Sequence, residues 1–119
     1  MAEEIQITAK IKCTNGEFSL PTHGVSNQKV DQTTQGYVSS TEATSTTAEL
    51  LELNDVANPG YGFFKNLDAT DTISIGFADN QFIVELGPKE VALFRVAGTT
   101  ITVKASANTP KLYYVILED

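Results

Sequence analysis

The sequence predicts an all-β chain, an antiparallel β-sandwich or jelly roll of about nine short strands forming a single domain over residues 1–119. Two patterns carry this prediction. Apolar and polar residues alternate with period two in several segments, and Gly, Pro, Asn and Asp punctuate the chain roughly every 10 residues. Length agrees with it: a compact chain of 119 residues buries about two thirds of its unfolded surface, enough for one hydrophobic core.

The first element is the clearest. Ile5, Ile7, Ala9, Ile11 and Cys13 fall on one side and Gln6, Thr8, Lys10 and Lys12 on the other, as in a half-buried strand. Asn15-Gly16 then signals a hairpin, because both residues tolerate positive φ, and Phe18 and Leu20 read as a short return strand. Pro21 is expected to end it, leaving 22–29 as a loop. Residues 30–47 are rich in Thr, Ser and Gln and predict exposed or edge strands. The stretch 46–53 is ambiguous: Thr46 and Glu49 have capping-box spacing, but eight residues make a marginal helix, so a strand is preferred.

Beyond Asn58-Pro59-Gly60 the rhythm is regular. Residues 61–67 read as a strand, and 68–71 as a turn whose carboxylates accept backbone N–H bonds. Ile73, Ile75 and Phe77 share one face, followed by a turn at Ala78-Asp79-Asn80. Phe82, Val84 and Leu86 repeat the pattern before the turn 87–90. Ala92, Phe94 and Val96, then Ile101, Val103 and Ala105, then 112–117 give three more strands.

Composition excludes several functions. Fifteen acids against eight bases give a net charge of −7, which opposes binding along nucleic-acid phosphates or anionic lipid. No run approaches the roughly 20 apolar residues of a membrane span, and the acidic opening Met1-Ala2-Glu3-Glu4 does not resemble a secretory signal. One cysteine cannot build a disulfide framework. One cysteine and one histidine are also too few for zinc, and no cofactor is expected.

No catalytic constellation emerges from the remaining residues. Cys13 continues an apolar face and is expected in the core, while His23 reads as a surface loop residue. Asn66, Asp68 and Asp71 have the oxygen chemistry of a calcium site, yet without an EF-hand pattern they read as turn residues bonding their own backbone. Scattered acids and the absence of tryptophan disfavour a glycosidase or a sugar-binding module, although Tyr37 and Tyr61 keep a carbohydrate-binding attachment module as an alternative. The notable feature is apolarity on both faces of some strands. Phe63 and Phe64 point to opposite sides, and 113–117 has no polar face, so such strands are covered either by another subunit or by a loop of the same chain.

Four motifs in the second half resemble small virion structural proteins of tailed bacteriophages, of the head decoration or cement type. They are Gly60-Tyr61-Gly62-Phe63-Phe64-Lys65-Asn66-Leu67-Asp68, Ile73-Ser74-Ile75-Gly76, the run Leu86 to Arg95, and Tyr114-Val115-Ile116-Leu117-Glu118-Asp119. The resemblance implies a non-enzymatic module made in the host cytoplasm that acts in many copies. It would bind the major capsid protein, other virion proteins or its own copies on the capsid exterior, or serve as a tail or head-to-tail component. It implies no nucleic-acid or membrane partner. The candidate interface residues are Thr33, Gln35, Tyr37, Phe63, Phe64, Tyr113, Val115 and Leu117, with the 22–29 loop and the 30–47 segment as partner surface.

Overall fold

The computed structural model describes residues 4–78 and 80–119, and none of them is helical. Ten strands run in the order β1 Ile5–Asn15, β2 Phe18–Val30, β3 Tyr37–Ala43, β4 Glu49–Leu50, β5 Pro59–Asn66, β6 Ile73–Ala78, β7 Gln81–Leu86, β8 Val91–Arg95, β9 Thr102–Ala105 and β10 Lys111–Glu118. The fold is all-β, as the alternation predicts. The chain divides into two compact units, residues 1–33 and 34–119.

The first unit is a two-stranded antiparallel ribbon of β1 and β2, paired from Ile5–Val30 to Asn15–Phe18. Its turn sits one residue later than the Asn-Gly pair suggests. Asn15 ends β1, and Gly16 takes the first turn position with φ at 59°. A residue without Cβ adopts that conformation at no steric cost. The return strand does not stop at Pro21, and the expected loop at 22–29 is strand. Two register shifts explain this, each placing an extra residue on β2. Pro21 lies in one bulge, where its missing N–H costs no ladder bond. Asn27, at φ 56°, lies in the other, and its N–H donates to Thr8 Oγ1 at 3.2 Å.

Three further expectations fail on this ribbon and in the sandwich that follows. Cys13 is exposed rather than in the core. The reason is that a two-stranded ribbon has no second layer of its own to cover an apolar face. His23 is exposed too, but lies in β2 opposite Ile11. In β6, Phe77 faces solvent instead of joining Ile73 and Ile75, since the register shifts on both sides of Gly76 break the alternation. Asp79, within the expected 78–80 turn, lies outside the described residues.

The second unit is a sandwich of two four-stranded sheets, ordered β3-β10-β5-β8 and β4-β9-β6-β7. The pairs β3–β10, β4–β9, β5–β8 and β6–β7 nest inside one another, as if one long hairpin were wound around the core. This is the jelly-roll winding. β3 is the edge strand expected from the Thr-rich segment, and the ambiguous stretch 46–53 contributes only the two-residue strand β4. Between the sheets, Val38, Phe64, Leu112, Tyr114 and Ile116 from one meet Ile73, Ile75, Leu86 and Val103 from the other. The Phe64 ring stacks on Phe94 with centroids 4.9 Å apart. Burial of such a ring contributes about 2–3 kcal/mol.

Candidate interaction surface

Strand parity decides which side chains reach the outside. In β5 and β10, Phe64, Leu112, Tyr114 and Ile116 point inward, so Phe63, Tyr113, Val115 and Leu117 point outward. Cross-strand register assembles them into rows. Ser39, Val115, Phe63 and Leu93 form one row across the sheet, and Thr41, Tyr113, Lys65 and Val91 form the next. A third carries the pairs Tyr37–Leu117 and Tyr61–Arg95. The result is a largely apolar outer face on the β3-β10-β5-β8 sheet. On it Tyr37 is 69% exposed and Phe63 37%, with Val91 and Leu93 also open to solvent.

The Phe63 and Tyr113 rings pack edge to face, 6.5 Å between centroids. That geometry is favoured by the ring quadrupoles, and it stiffens the middle of this face. At its margin the Arg95 guanidinium lies 5.4 Å from the Tyr61 ring centre and binds Asp119 Oδ1 at 2.8 Å. The first contact is a cation–π interaction. The hydrogen bond and charge of Asp119 hold the Arg95 pKa above its ordinary value.

Of the expected interface residues, the sheet brings Tyr37, Phe63, Tyr113, Val115 and Leu117 together. Phe64 is a correction: it is fully buried and belongs to the core, because its neighbour Phe63 takes the outward position. Gln35 is exposed just before β3, and Thr33 is exposed as the last residue of the first unit. Val91 and Leu93 are absent from the expected set. Their signal is present in the sequence, since placing Ala92 and Phe94 inward leaves two apolar residues outward.

The residues weighed for metal binding make hydrogen bonds within the chain. Asp68 Oδ2 accepts the N–H groups of Thr70 and Asp71 at 2.9 and 2.7 Å. Because they favour the carboxylate over the acid, these bonds lower the Asp68 pKa, the Asp71 bond most. Asn66 is completely buried. Its Nδ2 donates toward the carbonyls of Asp71, Leu86 and Gly87 at 2.8, 3.1 and 3.1 Å, while its Oδ1 accepts the Asp68 N–H at 2.9 Å. Among the described residues, no three His, Cys, Asp or Glu side chains gather as a metal site.

A second feature lies at the other edge of the sandwich, where β7 and β8 end their respective sheets. A recess of about 490 Å³ opens there, lined mainly by apolar side chains including Ile75, Val84, Phe94, Val96 and Ile101. Ala97 and Ile83 also line it, the latter 83% exposed.

No family model and no curated protein matches the chain. Among solved structures it is similar to a chain from the disulfide-linked pili of Bacillus endospore appendages, with 15% identity and a TM-score of 0.46 over 72% of this chain and 88% of that one. A likeness of that size does not bear on function.

Proposed function

We propose that the chain is a non-enzymatic structural protein of a tailed-bacteriophage virion, a decoration or cement protein that binds the outer surface of the major capsid protein lattice. The observation that carries this reading is the apolar outer face of the β3-β10-β5-β8 sheet. Apolar patches of this kind, rimmed by polar groups, mark protein–protein contacts, and aromatic residues at their centre supply most of the energy. The sequence motifs that resemble virion proteins fall on three of the four strands that build this face, β5, β8 and β10. Repetition over a lattice multiplies a modest contact into firm attachment. A net charge of −7 would repel packaged DNA, which favours the exterior of the shell.

The test is cosedimentation of the purified protein with shells lacking it, followed by copy counting on gels and electron microscopy. The double variant Phe63→Asp/Leu93→Asp alters two partly exposed side chains and leaves the body folded. Its affinity for shells falls more than about tenfold, equivalent to more than about 1.4 kcal/mol. Unchanged occupancy of that variant, or absence of the protein from purified particles, overturns the reading. Labelling confined to tails would move the contact to the tail.

A further inference from the structure

We infer that the partner of the β3-β10-β5-β8 outer face is a protein surface that sets carboxylates among apolar side chains. This rests on the reading that the face docks, and adds the charge of what docks there. Strand parity turns Lys65, Arg95 and Lys111 outward on the four strands, and no outward position on them holds an acid. The two acids of those strands, Glu42 and Glu118, have the inward parity. Glu42 Oε1 lies 3.1 Å from the Tyr114 hydroxyl, and Glu118 Oε2 accepts the N–H groups of Ala57 and Asn58 at 3.1 and 3.4 Å. Even with both acids counted, the four strands carry three bases and two acids, a net charge of +1. The rest of residues 34–119 carries two bases and nine acids, a net charge of −7.

At the margins of the face the charges balance, since Arg95 binds Asp119 and Lys89 lies close enough to Asp68 to favour its carboxylate. Lys65 and Lys111 are left over. Neither joins an ion pair among the described residues. Tyr113 stands two residues beyond Lys111 and pairs with Lys65, so the two lysines are diagonal cross-strand neighbours about 7–8 Å apart. They share the face with Phe63, Tyr113 and Val91. A purely apolar cover would strip water from both ammonium groups and replace none of it. A carboxylate between them, or one opposite each, restores the lost hydrogen bonds. Nucleic acid fits less well, because Leu93, Val115 and Leu117 would meet phosphate and sugar while only two cations stand unpaired. At about 0.15 M salt the screening length is about 8 Å, so charge beside the contact outweighs the chain's total of −7.

Fluorescence anisotropy of labelled probes tests it with the full chain. The probes are peptides of equal length in which leucine alternates with glutamate, with glutamine or with lysine, and a short oligothymidylate. The wild-type chain binds the glutamate peptide about tenfold more tightly than the glutamine peptide, and the other two more weakly still. Lys65→Gln/Lys111→Gln erases the preference, whereas Lys104→Gln on the opposite sheet preserves it. Circular dichroism checks folding; if the double variant is unfolded, Lys111→Gln alone, at an exposed position, replaces it and narrows the preference. Equal affinity for the glutamate and glutamine peptides overturns the inference. So does a preference that survives loss of the lysines, tighter binding of the oligonucleotide, or no peptide binding at all. Shells lacking the protein separate this inference from the capsid reading. If they bind wild type and the double variant equally, the inference falls and the capsid reading stands. If they bind neither while wild type still selects the glutamate peptide, the capsid reading falls and the inference stands.

Discussion

Replacing Asn66 with alanine tests whether a single amide ties three segments of the sandwich together. The side chain has two N–H hydrogens pointed at three carbonyls, so one is shared, and its oxygen accepts one N–H. Three hydrogen bonds are lost at a site with no solvent access. At about 1 kcal/mol each the loss is about 3 kcal/mol, and any carbonyl or N–H left unpaired adds to it. A body the size of residues 34–119 is stable by only about 4–13 kcal/mol, so this is a large fraction. The midpoint of thermal unfolding drops by about 12–24 °C. With no tryptophan in the chain, near-ultraviolet circular dichroism of the tyrosines follows the transition. Asn66→Asp keeps the acceptor but turns a carboxylate toward three carbonyl oxygens, so it is worse than alanine at neutral pH and partly recovers when protonated. A loss below about 1 kcal/mol for alanine, or wild-type stability for aspartate, refutes the clamp.

Two other perturbations probe the core. The Tyr114 hydroxyl donates to the Glu52 carbonyl at 2.7 Å, with Glu42 Oε1 at 3.1 Å. Burial together with the Glu42 charge pushes its pKa up to about 12. A raised pKa means that the stability it supports is complete below pH about 10 and is lost as pH climbs toward about 12. Solvent screening at the hydroxyl reduces that loss to about 1–2 kcal/mol. Tyr114→Phe removes this part of the alkaline loss, read as the difference between the two unfolding profiles, and costs about 1 kcal/mol at neutral pH; parallel profiles would contradict it. In Gly76→Ala the new Cβ would meet the Gln81 carbonyl oxygen and lie 2.7 Å from Phe82 Cα, both backbone atoms of β7. Backbone cannot swing aside as a side chain does, so a loss of about 1–3 kcal/mol in denaturant unfolding is expected, and one under about 0.5 kcal/mol would show that β7 gives way.

Much of the sandwich is legible in the sequence because its strands pack against a second sheet, and packing imposes period two on the residues. Ile73 and Ile75, Val84 and Leu86, and Ala92 and Phe94 read correctly for that reason. The outward position of Phe63 follows from the same rule once Phe64 turns inward. The ribbon is less legible. Alternation in β1 looks the same whether or not a layer covers it, so the pattern assigns Cys13 to a core that the ribbon does not possess. Pro21 and Phe77 show a second limit: bulges shift parity through backbone geometry at neighbouring residues, and no side-chain pattern announces them. Asn66 reads as a turn ligand although it stands two residues after Phe64, on the inward side of β5. Polarity outweighs parity in that reading, whereas the structure satisfies both by meeting the buried amide with backbone groups.

The two outer faces of the sandwich argue further about orientation. Across the centre of one sheet run Ser39, Val115, Phe63 and Leu93. Across the centre of the other run Lys104, Ser74 and Glu85, a base, a hydroxyl and an acid in adjacent register, while Leu50, Phe77 and Ile83 stand exposed elsewhere on the strands of that sheet. Both sheets pack apolar inner faces on the shared core, so core formation does not explain the difference. A sheet that only had to fold could carry the polar row on both outsides, with better solubility. The cost of exposing Phe63, Leu93 and Val91 is offset where those side chains meet another surface. On the proposed reading, an attached copy turns the Val115–Phe63 row toward its partner. Reversing the character of the rows, by placing charge at Phe63 and Leu93, should therefore abolish attachment, whereas Ser74→Asp on the opposite sheet should leave it unchanged.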